Sequence, residues 1–429
     1  MKRKVFKNIE IFDGFEFFYG NVEVVGETID KVTKTKEIEV KSDVEVVTGN
    51  YLLMPGMINL HTHVPMTLFK GISEDLPLEK WLEKIFPLEA KYISPEMVYI
   101  CGMWGMAEML RSGITTFADM YFHEEFIAKA AKKINMKAVL GEGVINFPAP
   151  SGRSPDETIE HTVELAEKYR ENPLVSVSAA PHSPYLTDEK YLLKLKEISD
   201  SYKIPLHIHI AESLFEVETY KKANKKTEFE RFDELGLLNE RFIAAHCVNV
   251  SDRELEIMAS RKVTVAHCPS SNMKLGNGVA RVTEMVEAGI NVVVATDGSA
   301  SNNNLNLLQE AELAAKLQKV FRKDPTAFKS IEALKAVTSN GAKPLGKNLG
   351  VIKEGAQADL VLIKKESFEI SPVYNPAAAL IYASDHSDIE AVFVNGKKVV
   401  DKGKIVTVDE ENLKKEFFKI VEKVKSEKL

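Results

Sequence analysis

Apolar positions fall into three regimes along the 429-residue chain. Over the first 55 residues they come in short alternating stretches, which predict strands at 5–12 and 21–25 with the turn Asp13-Gly14 between them. The same pattern returns beyond about residue 350: 358–363 reads as a strand, and 391–394 and 397–400 flank Asn395-Gly396, the signature of a tight two-residue hairpin. Residues 410–428 carry a helical period with one polar face. Between these ends eight short apolar runs recur, at 58–63, 114–120, 137–145, 174–180, 205–211, 242–247, 262–268 and 290–296. Helical stretches at 95–112, 156–171, 188–202, 251–260 and 304–320 separate many of them. Eight strand–helix units in about 290 residues predict an α/β chain built as a (β/α)8 TIM barrel over 56–349. A doubly wound sheet more often has about five to seven strands and a glycine-rich first turn, and that turn is missing. The terminal strands, within 1–55 and 350–410, are expected to pair into one small β-sandwich-like domain, leaving 411–429 as a C-terminal helix.

Composition narrows the function classes. Hydrophobic residues at 45% and charged residues at 28% are those of a globular chain able to bury a large core. A net charge of −7 gives nucleic-acid binding no electrostatic support. Cys101, Cys247 and Cys268 form no CxxC pair, so neither a disulfide scaffold nor a thiolate zinc site is expected. The basic Met1-Lys2-Arg3-Lys4 is not followed by an apolar signal segment, and no run approaches the roughly 18 apolar residues of a membrane span, which predicts a cytoplasmic enzyme.

In a barrel of this kind chemistry sits at the C-terminal ends of the strands. The first run ends His61-Thr62-His63. Residues two apart on a strand share a face, so both imidazoles can reach one ion at the ~2.0–2.1 Å of a Zn–N bond. A pair of packed or solvated histidines is the bland alternative; the sharp entry Pro55-Gly56-Met57 and the place of this run at the head of the series weigh against it. In the fifth run His207 and His209 also share a face, and spacing alone does not choose between them. His209 lies nearer the strand end and is preferred as a ligand, which leaves His207 in the core or behind the ligands. Glu212 follows in the loop over the barrel mouth, where a carboxylate can shuttle a proton. The sixth and seventh runs end His246-Cys247 and His267-Cys268. Neighbours on a strand point oppositely, so neither pair chelates one ion; His246 is expected to orient water or substrate, His267 stays open, and the cysteines read as packing residues. The eighth run ends at Asp297, an acid that needs a partner if buried, and a divalent ion is one. His61, His63, His209 and Asp297 with one water would make an open, catalytic site for one divalent metal; Zn2+ is the expectation, and Fe, Mn, Co or Ni accept the same donors. Rival motifs fail: Gly341 to Lys347 imitates a phosphate loop but contains Pro344 and continues into Asn348, and no GxSxG elbow occurs.

Pro55-Gly56-Met57-Ile58-Asn59-Leu60-His61-Thr62-His63, with His209, His246 and Asp297, resembles the amidohydrolase superfamily over nearly the whole chain, including the returning segment Gly355-Ala356-Gln357-Ala358-Asp359. Within it the chain is most similar to the 5-methylthioadenosine/S-adenosylhomocysteine deaminases, through Phe69-Lys70-Gly71, Trp81 to Glu89, Pro181-His182-Ser183-Pro184-Tyr185, His267-Cys268-Pro269-Ser270-Ser271-Asn272 and Ser301-Asn302-Asn303-Asn304-Leu305. The resemblance implies metal ligands His61, His63, His209 and Asp297, with Glu212, His246 and Asp297 in catalysis. It implies Glu212 at the purine ring, Glu89 and His182 on the nucleoside, Trp81 on the pocket wall and Arg153 as a substrate arginine. One departure is Glu142, which stands where relatives often carry an arginine; its presence favours a neutral 5′ tail over a carboxylate-bearing one. A carbamylated lysine, which bridges two metals in another branch, has no counterpart in 174–180, so one metal is expected. The implied reaction is hydrolytic deamination of an adenosine derivative, of the 5-methylthioadenosine, S-adenosylhomocysteine, adenosine or 5′-deoxyadenosine type, with ammonia released. Deamination or dechlorination of a free base or triazine (guanine, cytosine) keeps the same site, and a non-catalytic barrel scaffold is the reading from a different class. The expected partner is a small-molecule nucleoside, without nucleic acid or membrane, and a homo-oligomer stays open.

Overall fold

Strand-forming stretches from the two ends of the chain pair with each other in one nine-stranded sheet. The computed structural model describes residues 3–35 and 44–427; residues 1–2 and 36–43 of the expected terminal domain, and 428–429 of the expected C-terminal helix, lie outside the described residues. Arg3–Phe12 pairs antiparallel with Phe17–Val25 and parallel with Tyr51–Pro55, which in turn pairs antiparallel with Leu360–Lys364. Ile389–Val394 and Lys397–Asp401 extend the sheet as a hairpin. Its turn is the expected one, with positive φ at both Asn395 (50°) and Gly396 (69°).

The hydrogen bonding makes one sheet where two facing sheets were expected. Phe6 and Phe393 lie three strand steps apart, about 14 Å in a flat sheet, yet their rings meet edge to face at 5.5 Å. Strong curvature therefore folds the sheet over its own core of Phe6, Ile9, Ile11, Val24, Leu360, Leu362 and Phe393. The tip of the 394–397 hairpin presses on the turn at Gly26 so closely that a Cβ on Gly396 would sit 2.2 Å from the Gly26 carbonyl oxygen.

The central runs form parallel strands: β1 Met57–Thr62, β2 Ile114–Tyr121, β3 Lys137–Val144, β4 Val175–Val177, β5 Leu206–Ile210, β6 Phe242–His246, β7 Thr264–His267 and β8 Asn291–Val294. β1 to β4 pair in order, as do β5 to β8. A bridge between Ala179 and Leu206 links the two groups, and just past β8 the Asp297 N–H donates to the His61 carbonyl at 3.0 Å. Ile58, Leu60, Ala118, Val139, Ile243, Ala266, Val293 and Ala295, drawn from six of the eight strands and their ends, share one buried cluster. The strands thus run around a packed interior, each fully buried isoleucine, leucine or valine in it contributing roughly 1.5–3 kcal/mol, and their C-terminal ends open at one side.

Helices fill the connections. Pro95–Arg111, Pro155–Tyr169, Glu189–Tyr202, Asp252–Arg261 and Leu307–Arg322 lie within a few residues of the expected stretches. Ser94, Ser154, Ser251 and Asn306 cap four of them by accepting backbone N–H groups that would otherwise be unpaired. Leu78–Tyr92 is a helix in spite of Pro87 inside it, and Glu124–Ile134 is another that the pattern did not mark. The C-terminal helix Glu410–Ser426 stacks Phe417 on Trp104 at 4.2 Å. No helix among the described residues is long and apolar enough to cross a membrane.

Candidate metal centre

Because the strands are parallel, residues at their C-terminal ends converge. His61 sits on β1 and His63 just beyond it, His209 on β5, His246 at the end of β6, and Asp297 beyond β8. Ala211, His246, Cys247 and Asp297 all take positive φ (52°, 74°, 48° and 61°) at these ends. Non-glycine residues adopt that conformation at a cost of order 1–3 kcal/mol, and such strain gathers at functional sites. It is held here by hydrogen bonds: Asp297 Oδ1 accepts the Gly298 N–H at 2.7 Å and Oδ2 accepts the Ser301 hydroxyl at 2.8 Å.

The imidazole partners decide the tautomers. His63 Nδ1 donates to the Met120 carbonyl, and His209 Nδ1 donates to the His182 carbonyl at 2.7 Å. Each neutral ring then presents a lone pair at Nε2, and these two Nε2 atoms lie 3.1 Å apart. Two lone pairs at that distance repel unless a positive charge lies beside them. His61 Nε2 is buried with no hydrogen-bond partner, 3.4 Å from Asp297 Oδ1, and His63 Nε2 is 3.3 Å from the same oxygen. His61, His63 and Asp297 offer donor atoms all within 4.8 Å of one another, as do His61, His209 and His246, and the shared His61 makes these one centre. A set of imidazole nitrogens with one carboxylate fits a divalent transition metal. His207, whose Nε2 lies 2.8 Å from His61 Nδ1, stands behind the donors and fixes the orientation of that ring.

The electrostatics agree with a site built for positive charge. Burial raises the Asp297 carboxyl, but His61 and His63 overcome this and hold it well below the usual range. Burial disfavours the His63 imidazolium, yet Asp297 lifts it to about 9, so the positive charge that its Nε2 calls for is supplied by either a proton or a metal ion. His61, wholly buried, is pushed down to about 4 by desolvation despite the same neighbour.

Glu212 is the opposite case. Burial first, then the Asp297 charge, push its carboxyl up to about 8, although Asn277 donates to Oε1 at 3.0 Å. Its backbone is tied down: Glu216 accepts the Glu212 N–H at 3.0 Å and Glu228 accepts the Ala211 N–H at 2.8 Å. His246 Nδ1 donates to Asn272 Oδ1 at 2.9 Å, leaving Nε2 directed to Glu212 Oε2 at 3.7 Å. Asn272 and Asn277 were not assigned from sequence; Asn272 lies in the segment quoted for the family likeness, whereas nothing local distinguishes Asn277.

A cavity of about 530 Å³ opens in front of this cluster. His63, His209, Glu212, His246 and Asp297 line it, together with Trp81, Glu89 and His182. Trp81 Nε1 and His182 Nδ1 are buried without a partner, so both are free to meet a polar ligand. Burial lifts Glu89 to about 7. Arg153 departs from its expected place: it is absent from the lining and is engaged by Glu142 and Glu125, each at 3.0 Å. Glu142 is also turned away from the cavity, because its neighbour Gly143 faces inward and alternate residues of β3 face opposite sides. His267 is buried with neither ring nitrogen paired and is not in the lining. Cys247 and Cys268 are buried, as packing residues are.

Residues 52–399 match the family model described as the amidohydrolase family. A 5-methylthioadenosine/S-adenosylhomocysteine deaminase from Thermodesulfovibrio yellowstonii is 43% identical over 398 residues, 92% of this chain and 90% of the relative. A 5'-deoxyadenosine deaminase from Methanocaldococcus jannaschii is 39% identical over 91% of this chain and 93% of its own. Among solved structures, an adenosine deaminase from Xanthomonas campestris with bound zinc superposes with a TM-score of 0.94 at 32% identity, covering 99% of this chain and 98% of that one.

Proposed function

The chain belongs to the amidohydrolase family, and from that premise we propose that it is a metal-dependent deaminase converting a 5′-modified adenosine to the corresponding inosine with release of ammonia. The observation that carries this reading is the placement of the buried Glu212 carboxyl, its Oε2 3.7 Å from His246 Nε2, on the same cavity as His63, His209 and Asp297. The eight parallel strands are read as a (β/α)8 barrel, and the terminal strands as a composite β-domain attached to it.

His61, His63, His209 and Asp297 are the proposed ligands of one divalent cation, taken to be zinc, with His246 beside them. When bound, such a cation lowers the pKa of water toward roughly 7 and so supplies a nucleophile at neutral pH. Glu212 donates its proton to the purine ring nitrogen next to the amino-bearing carbon, which makes that carbon electrophilic. Asp297 takes up the proton released from the attacking water. His246, its Nδ1–H held by Asn272, presents Nε2 as the acceptor that orients the hydrogen of the attacking water. Asp297 passes that proton to the amino group, the C–N bond breaks as the added hydroxyl becomes the carbonyl and returns its proton to Glu212, and ammonia leaves. Trp81, Glu89 and His182 hold the nucleoside in the cavity, Glu89 through the ribose hydroxyls that a free base lacks.

The test is ammonia release from a panel of adenosine, 5-methylthioadenosine, S-adenosylhomocysteine, 5′-deoxyadenosine, guanine and cytosine. Turnover of the adenosine derivatives is expected. Turnover of a free base with no activity on any adenosine derivative contradicts the reading.

A further inference from the structure

Two buried carboxyls that the proposed reaction does not use lie behind the turn that carries Glu212. Glu216 (5% exposed) and Glu228 (1%) come from successive helices, Leu214–Asn224 and Glu228–Glu234. Glu216 Oε2 accepts the Glu212 N–H at 3.0 Å, and Glu228 Oε2 accepts the Ala211 N–H at 2.8 Å. Oε1 of each is buried and takes no N–H, and the two carboxyls are hydrogen-bonded to each other. Among the described residues no lysine or arginine pairs with either. Two carboxyls in hydrogen-bond contact cannot both ionise away from water, so the pair keeps one proton between them. Helix capping alone asks for less. Glu216 closes the capping box of its own helix with Ser213, which an exposed glutamate does equally well. Glu228 instead reaches back 17 residues to an N–H that belongs to no helix.

The backbone they hold is strained. Ala211 takes a φ of 52°, a conformation that a residue with a Cβ keeps only where its surroundings enforce it. From the other side the Asn249 N–H donates to the Ala211 carbonyl at 3.0 Å, and Asn249 Nδ2 donates to the Glu212 carbonyl at 2.8 Å. With the N–H groups and carbonyls of both residues taken, the Glu212 side chain leaves the backbone in one direction, toward Asn277 and His246. We propose that Glu216 and Glu228 are positioning residues for the deamination: as a proton-sharing pair they lock the Ala211-Glu212 turn and so set the Glu212 carboxyl against the ring nitrogen it protonates. The inference rests on the deaminase reading above. Neither residue lines the cavity, so both act through Glu212.

The experiment measures kcat and KM of the zinc-loaded full chain for the adenosine derivative of the panel above that is turned over fastest. Glu228→Ala leaves the Ala211 N–H without its acceptor and should lower kcat about 10–100-fold, the effect of a small misplacement of a reacting group, with KM and zinc stoichiometry close to those of the wild type. Glu216→Ala, which frees the Glu212 N–H, should lose kcat in the same way. Glu228→Gln keeps an oxygen for the Ala211 N–H and an amide to donate to Glu216, and should recover most of the loss. Placed on Glu212→Gln, which has no proton to misplace, Glu228→Ala should lower the residual kcat no further, whereas a merely structural role repeats the same fold loss there. If an alanine variant does not fold, aspartate at that position, one methylene shorter, takes its place with the same expectations. Wild-type kcat in either truncated variant, no recovery in Glu228→Gln, or an equal fold loss in both backgrounds overturns the assignment. Absence of turnover of every adenosine derivative by the zinc-loaded wild type overturns the deaminase reading instead.

Discussion

Burial first, and then the Asp297 charge, hold the Glu212 carboxyl above the range of an ordinary glutamate, at about 8. The proposed role needs the protonated form, so the sign of the pH dependence follows. Turnover should hold below the Glu212 pKa and fall as pH rises through about 8. Glu212→Gln, which keeps the shape and removes the transferable proton, should lower kcat by about 10²–10⁴-fold with the metal still bound, and should abolish that alkaline limb. A Glu212→Gln enzyme with near-normal kcat removes Glu212 from the mechanism. The positions of the site residues were readable because strand alternation and strand ends are sequence properties: His61 and His63 share a face, and Asp297 closes an apolar run. What could not be read was direction around a turn. Arg153 and Glu142 stand where a substrate contact was expected, yet they are bound to one another, and that pairing depends on β3 turning Glu142 toward a helix end.

At the scale of elements, regular periodicity was legible and compensated irregularity was not. Capped helices such as Pro155–Tyr169 carry their own start signal, Ser154 with Glu157 three residues later. Leu78–Tyr92 was hidden by Pro87, and Glu124–Ile134 by a start whose capping carboxylate, Glu142, comes from a different element. The hairpin at Asn395-Gly396 was visible from two residues, but its contact with the turn at Gly26 is made across the whole sequence. That contact gives a prediction. Gly396→Ala places a Cβ 2.2 Å from a carbonyl oxygen, whereas Gly346, also at positive φ (60°), has nothing within 4 Å. Gly346→Ala should cost only the backbone term of about 1 kcal/mol, and Gly396→Ala clearly more, read as a larger fall in melting temperature with kcat/KM retained. Equal melting temperatures for the two variants would mean that the hairpin does not close the curved sheet as described.

For the whole molecule, the parallel strands bring together residues more than two hundred positions apart, His61 and Asp297 among them, and give every strand end the same outlook. The eight recurring apolar runs and the family likeness made that arrangement legible, whereas the single curved terminal sheet was not, because alternation marks strands without saying how far their sheet bends. The same global geometry gathers the donors a cation needs: the Nε2 atoms of His63 and His209 lie 3.1 Å apart, and His61 belongs both to a cluster with His63 and Asp297 and to one with His209 and His246. The most direct test follows ammonia release from 5-methylthioadenosine while chelator-treated protein is titrated with Zn2+. Activity should be negligible at the start, rise linearly and level off at about one equivalent per chain, as one open catalytic site requires. Full activity before any metal is added, or a rise that continues to two equivalents, would contradict a mononuclear, metal-dependent deaminase.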